Sequence, residues 1–546
     1  MPLFPCSISC PEVPRKCAHD GTTGDPSLYT AGANLLHNRF PRFPSGYPMD
    51  CPVPLYLQLA QRLLDAIEQA AMPEGTRLPS VRTLATQHAM SVSTALQALR
   101  WLETRGHIEA RPRSGYFVAK RPKRGKRANG TGAAKAAGAG RWARPMPELD
   151  AQARDHLAIT AAPTTVRLDL ASAETTLYPV DRFSVLLRRL AYQHRDLVGS
   201  HVRGTGYPAL RAQIARQAMQ YACELDPDEI VVTNGCVEAL NLALRAVARP
   251  GDVIAVESPT YFVLLQMLRA LEMRVHLIPC DPVTGIDLDA LKAAFDRGVP
   301  IKAVVTVANC NNPLGSVPSD ARKRALVALL REHDVPLIED DIFGDLCFGE
   351  TRPRPVRAFD DAHGNVLLCG GFSKSLSPGL RLGWIAGGRF TERVKALKYT
   401  TSMATAELQQ AAVAELLATG GYALHLRRLK AALRVQHKSL RDAVLSYFPD
   451  GTEVTDPAGG LVLWTKLPML DGQPRSTRTL FEQARAEGIG FAPGHLFGEG
   501  GAFDDCLRLN AGNRWTSELE AAVRRLGELA TRAIPAQGVA TRDLQL

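Results

Sequence analysis

Residues 370–384 read GGFSKSLSPGLRLGW, and the largest part of the chain is organised around them. The apolar run NVLLC before them has the length of a buried strand, which puts Lys374 just after a strand. Arg381 follows seven residues later, behind a Ser-Pro-Gly turn. An isolated Ser-Lys pair carries no information, because most lysines are solvated surface groups. The surroundings give this one meaning. Upstream lie EIVVTNG (229–235), DVIAVES (252–258), RVHLIPC (274–280), IKAVVTVAN (301–309) and VPLIEDD (335–341). They are short apolar runs, separated by helix-like stretches or connecting loops. That alternation predicts a largely parallel α/β sheet covered on both faces. Downstream, VLWTKL (462–467) and CLRLNAG (506–512) predict strands of a smaller α+β C-terminal subdomain. The α/β region runs from about 165 to 535, and 536–546 reads as an irregular tail.

Residues 53–119 follow a different pattern. Leu59, Leu63, Ala66, Ile67 and Ala70 recur at helical spacing. PEGTR breaks that helix, and LPSVRTLATQH gives a short second one with Ser80 as its N-cap. Ser91 caps a third helix whose Ala95, Ala98, Leu99 and Leu102 face inward, and Gly106 ends it. HIEARPRSGYFV (107–118) reads as a basic hairpin of two short strands. Three short helices and such a hairpin make the winged form of helix-turn-helix, with the third helix entering the major groove. Ser93, Thr94, Gln97 and Arg100 face outward, and Arg111 and Arg113 lie on the hairpin to follow the DNA backbone or minor groove. A helical docking module with a solvated charged face would share the helix pattern, so particular residues must decide.

Composition sets the frame. At 546 residues the chain needs two or three compact units. Its net charge of +10 is modest for this length, but from Arg111 to Arg144 there are 11 Lys and Arg and no acid. Gly, Ala and like charges prevent a core there, so 120–164 is a flexible basic linker. Residues 1–52, rich in Pro, Gly and Ser, read as irregular, and Met49 is an alternative start. No apolar run of about 18 residues suggests a membrane span, and no secretory pattern opens the chain. The 11 cysteines are scattered without a CxxC pair, as in a reduced cytoplasmic protein. Cys6, Cys10 and Cys17 lack a fourth ligand at a sensible spacing, so no metal is expected.

The segment from Pro54 to Val118 resembles the GntR family of winged-helix repressors along its whole length. Its G-x-R-L-P-S-x-R core is Gly75, Arg77, Leu78, Pro79, Ser80 and Arg82. The resemblance implies a double-stranded DNA operator, contacted by Arg82 and the start of the third helix. With the outward and hairpin residues above, the candidate DNA-facing set is Arg77, Ser80, Arg82, Ser91, Ser93, Thr94, Gln97, Arg100, Arg111 and Arg113. One position departs: the family usually carries Arg after the capping Ser, where this chain has Val92.

The stretch 370–384 resembles the lysine segment of fold-type I aminotransferases, which implies pyridoxal 5′-phosphate (PLP) as cofactor. PLP chemistry needs an amine for the aldehyde, an acid for the pyridine nitrogen, and dipoles and cations for the phosphate. The resemblance makes Lys374 the Schiff-base lysine, and Ser373 and Arg381 phosphate ligands. It assigns Asp340, at a strand end where α/β sheets bind ligands, to the ring nitrogen. Asn312, in NNPLG, would bond the phenolic oxygen, and Tyr261 would stack on the ring. Gly235 and Cys236 would offer backbone N–H groups at a helix start to the phosphate. Arg508 would clamp a carboxylate. Two departures stand out: Phe343 where a Tyr hydroxyl is usual, and Gly371 where a phosphate-binding Ser is common.

Together the two halves resemble the MocR subfamily of bacterial regulators. This implies a homodimeric, PLP-dependent transcriptional regulator that senses an amino compound or PLP through Lys374. A working aminotransferase with an appended DNA-binding domain is the alternative. Phe343 and Gly371 weigh against it.

Overall fold

The computed structural model describes residues 55–68, 72–111, 114–119, 164–200, 204–360 and 364–532. Arg113, Ala70, the linker 120–163, the extension 1–52 and the tail 536–546 lie outside the described residues. The chain forms two compact units, residues 1–143 and 144–546.

The first unit holds α1 (Leu55–Glu68), α2 (Val81–Gln87) and α3 (Val92–Thr104), then β1 (Ile108–Arg111) and β2 (Gly115–Val118). Ser80 and Ser91 cap α2 and α3 by accepting from Thr83 N at 3.2 Å and Thr94 N at 3.1 Å. These bonds satisfy donors that a helix start leaves free. Leu59, Leu63, Leu84, Leu99, Leu102, Ile108 and Val118 form one small core. The wing has the expected two strands, and a third stretch joins them. Gly75 N donates to Val118 O (3.0 Å), Val118 N to Thr76 O (2.9 Å) and Leu78 N to Tyr116 O (2.8 Å). The stretch read as a helix breaker therefore pairs with β2, leaving β2 bonded on both edges. Gly75 makes the entry possible with φ of +79°.

The second unit contains an eight-stranded sheet in the order β4-β11-β10-β9-β8-β5-β6-β7. Its strands are β4 (Ile230–Thr233), β5 (Val253–Ser258), β6 (Arg274–Asp281), β7 (Gly285–Ile286), β8 (Ile301–Thr306), β9 (Leu337–Asp340), β10 (Val366–Gly371) and β11 (Gly383–Ala386). The pairs from β6 through β5, β8 and β9 to β10 are parallel. β11 runs antiparallel to both β10 and β4. It escaped the sequence reading because GWIA is four residues long and bounded by glycines, which resembles a turn. Alternating side chains bury both faces, as the patterning predicted. Ile254, Val256, Ile338 and Leu367 join one core and Ala255, Val304, Leu337 and Val366 another.

A second sheet, β12-β13-β15-β14-β3, forms the smaller subdomain. It is built from β3 (Val166–Leu168), β12 (Glu453–Val454), β13 (Val462–Lys466), β14 (Ile489–Pro493) and β15 (Cys506–Asn510). β3 pairs parallel with β14, so the earliest described strand of this unit belongs to the C-terminal subdomain.

Candidate functional site

Parallel strands carry their C-terminal ends to one edge of the sheet, and the candidate residues gather there. β9 ends at Asp340, β10 leads through Ser373 to Lys374, and β4 leads to Gly235. Tyr261 and Asn312 follow β5 and β8. A cavity of about 110 Å³ is lined by Cys236, Tyr261, Asn312, Asp340, Ser373, Lys374 and Arg381, together with Ala171 and Phe343.

Lys374 Nζ donates to the Ala171 carbonyl at 2.7 Å. Burial pushes this amine down to about 8, helped by the charges of Arg508 and Arg381 and opposed by Asp340. It is thereby closer to a neutral nucleophile than an ordinary lysine. Burial also pushes the Asp340 carboxyl up to about 6. Its Oδ1 accepts from the Cys236 thiol (3.3 Å) and from Ile342 N (3.2 Å). Asp340 is thus held in orientation, and Cys236 offers it a side-chain contact that the sequence reading missed. Burial raises the Tyr261 hydroxyl to about 12.

Gly235 has φ of +87°, and a Cβ there would sit 2.8 Å from Arg381 Nη2. The guanidinium thus lies over the glycine at the start of the helix Cys236–Val247, where backbone donors and helix dipole favour an anion. Gly371 also has a structural reason. A Cβ on it would meet Ile342 Cδ1 at 3.0 Å and Leu382 O at 3.1 Å, because β11 passes so close. Phe343 is buried beside Asp340 and brings no hydroxyl to the cavity.

Arg508, on β15, is buried between the rings of Phe262 and Phe497, with Cζ 5.7 and 5.3 Å from their centroids. Its Nη1 donates to Asn312 Oδ1 at 3.4 Å and its Nη2 to the Asp169 carbonyl. Its Nε has no partner among the described residues, and burial pulls the guanidinium down to about 10. A buried cation with an unpaired donor suits a planar anion.

The groups that hold the Lys374 loop are not marked in the sequence. The Tyr422 hydroxyl bonds Asp345 Oδ2 (2.6 Å) and Ser375 Oγ (2.7 Å), and His425 Nε2 lies 2.8 Å from Ser375 O. Tyr178 OH accepts from Ala173 N at 3.0 Å and donates to Lys374 O at 3.4 Å. No motif flags these residues, since they are up to about 200 positions from Lys374.

In the N-terminal unit, Arg82, Ser93, Gln97 and Arg100 are exposed on α2 and α3, while Thr94 is half-buried. Ser80 and Ser91 serve as caps, and Ser91 Oγ also bonds Ser93 Oγ at 2.8 Å. Arg77 lies beside Gly115 of the hairpin. Arg111 stacks on Phe117 at 4.4 Å and pairs with Glu109 at 2.6 Å, so part of its charge is already engaged. Val92 is 51% exposed at the first turn of α3.

Residues 55–118 match the family described as bacterial regulatory proteins of the gntR family, and residues 196–526 match aminotransferase class I and II. The HTH-type transcriptional regulator YjiR of Escherichia coli strain K12 is 36% identical over 491 residues. That alignment covers 88% of this chain and 99% of YjiR. The chain belongs to the MocR-type regulators of the GntR family. The probable rhizopine catabolism regulatory protein MocR of Rhizobium meliloti is 27% identical over 450 residues, covering 81% of this chain and 87% of that protein. The second unit resembles LysN, an α-aminoadipate aminotransferase of Thermus thermophilus solved with N-(5′-phosphopyridoxyl)-L-leucine. The TM-score is 0.63 at 26% identity, over 70% of this chain and 95% of LysN.

Aminotransferases of this fold are PLP-dependent, so the fold of this MocR-type chain implies PLP. The donor set suits that cofactor. The Gly235–Arg381 cradle leaves no space for a Cβ, and Arg508 Nε is an orphaned buried donor. Among the described residues, no helix is long and apolar enough to cross a membrane, and no cluster of His, Cys, Asp and Glu is gathered for a metal.

Proposed function

We propose that this transcriptional regulator senses an amino compound, or PLP itself, through a Schiff base on Lys374. The observation carrying this reading is the meeting of a depressed-pKa lysine and an oriented Asp340 around one cavity, with the buried Arg508 bonded to Asn312 of its wall. That cavity belongs to a chain whose other unit is a GntR winged helix. PLP supplies an aldehyde that condenses with primary amines and a ring that draws electrons. In this reading Lys374 holds the aldehyde, Asp340 keeps the pyridine nitrogen protonated, and Tyr261 packs on the ring. Asn312 meets the phenolic oxygen. Arg381, Ser373 and the backbone N–H groups at Gly235 and Cys236 hold the phosphate, while Arg508 takes an effector carboxylate.

Operator binding falls to the start of α2, to α3 and to the wing. Arg77, Ser80, Arg82, Ser91, Ser93, Thr94, Gln97 and Arg100 serve it, with Arg111 and Arg113 on the hairpin. The protein acts as a homodimer on double-stranded DNA in the cytoplasm. Phe343 leaves the cofactor without the hydroxyl that helps fast amino transfer, which favours sensing over turnover. The test is Lys374→Ala: it should still bind operator DNA in a mobility-shift assay while losing the response to PLP and amino compounds. An unchanged response would show that the Schiff base is not the switch.

A further inference from the structure

The segment Asp169–Ala173 leads out of β3 and ends against the cavity just described, where its backbone carbonyls occupy the two cationic donors. The Asp169 carbonyl accepts from Arg508 Nη2, and the Ala171 carbonyl accepts from Lys374 Nζ at 2.7 Å. The flanks are pinned separately. Asn513 Nδ2 donates to the Arg167 carbonyl at 3.0 Å, and Asn510 Nδ2 to the Ser172 carbonyl at 3.0 Å. The Asp169 carboxylate is tied to Arg167 by two bonds of 2.8 Å, so Arg508 holds only its neutral carbonyl.

The competition has a clear direction. A carboxylate reaching Arg508 can take Nε and Nη2 together, and charge-assisted hydrogen bonds are roughly twice as strong as neutral ones. Among the described residues Nε is unpaired and the Asp169 carbonyl is the only group that must give way at Nη2. At Lys374, condensation of the amine with an aldehyde forms a C=N bond and releases water. The nitrogen then keeps at most one N–H, and its bond to the Ala171 carbonyl is lost or weakened. β3 is three residues long and, among the described residues, pairs on one edge only; beside that pairing it is held by Asn513 on the Arg167 carbonyl and by the burial of Leu168.

We infer that residues 169–172 form a ligand-displaced latch: a carboxylate at Arg508 and an aldehyde at Lys374 evict its carbonyls and loosen β3. In sequence, β3 directly follows the linker from the DNA-binding unit. The inference rests on the roles proposed above for Lys374 and Arg508.

Hydrogen–deuterium exchange of the full-length protein over residues 166–174 tests it. PLP alone, which condenses with Lys374, should speed exchange and overturns the aldehyde's part if it does not. Two probes without an aldehyde test the carboxylate's part. One is N-(5′-phosphopyridoxyl)glycine, and the other is N-(5′-phosphopyridoxyl)methylamine, which lacks only the carboxylate. The glycine probe should speed exchange by about tenfold or more, and the methylamine probe by clearly less. The comparison needs no variant that could fail to fold. Unchanged or slower exchange with the glycine probe bound, binding being read from its absorbance, overturns the latch alone. Equal acceleration by both probes overturns the carboxylate's part in it. Failure of both probes to bind overturns the cofactor reading and the latch with it.

Discussion

Lys374 shows how a common residue becomes a reactive one. Its amine sits near 8 because burial and two guanidinium groups disfavour the ammonium form more than Asp340 favours it. The rate of PLP capture by the cofactor-free protein should therefore climb about tenfold per pH unit below 8 and level off above it. Stopped-flow absorbance measures this, and a midpoint near the ordinary lysine value would contradict it. The same shift has a stability consequence. The fold prefers the neutral amine, so the cost of charging Lys374 is fully present below pH 8 and disappears as pH rises toward 10.5. Gly235 makes the second residue-scale case. Gly235→Ala would place a methyl against Arg381 at a left-handed φ, and PLP affinity should fall by about tenfold or more in equilibrium titration, with little change in DNA binding. Lys374, Arg381 and Arg508 stood out in the sequence because spacing and neighbours mark them. The contacts that orient Asp340 and Lys374 did not. Cys236 reaches Asp340 across 104 positions, and Ala171 acts through its carbonyl, which no side-chain pattern reveals.

Elements were legible where period and boundary agreed. The buried parallel strands announced themselves as apolar runs, and both serine caps were readable because capping is local chemistry. β11 and the strand-like stretch Gly75–Leu78 were not. Each is about four residues long and borders glycine, so only pairing with distant strands defines it. Ser91 links element stability to DNA contact. Ser91→Ala should cost the N-terminal unit about 1 kcal/mol through the lost cap. It should also weaken operator binding, since Ser93 Oγ and Thr94 Oγ1 bond the same hydroxyl. Denaturant melts followed at Trp101, which packs against this unit's core, would report the loss. A melt identical to that of the parent protein would mean that the cap contributes nothing.

At the scale of the whole molecule, charge is distributed unevenly: 11 Lys and Arg and no acid lie between Arg111 and Arg144. Nucleic-acid affinity depends on salt in proportion to the phosphates neutralised. Deleting residues 121–141 should flatten the slope of log affinity against log salt by several units while leaving sequence preference unchanged, because backbone contacts position and base contacts specify. Fluorescence anisotropy at several salt concentrations would decide it, and an unaltered slope would place the linker away from DNA. The two-unit division itself was readable from the change of period and the charged stretch between.

The placement of β2 has a mechanical consequence. The linker leaves the winged helix directly after this strand, and β2 is bonded both to β1 and to the stretch from Gly75 to Leu78. A tether fixed to an edge strand peels that strand away one hydrogen bond at a time. A tether fixed to a central strand must shear two rows of bonds at once. Tension arriving at residue 119 is therefore carried into the DNA-reading unit as a whole, and the wing serves as its anchor plate.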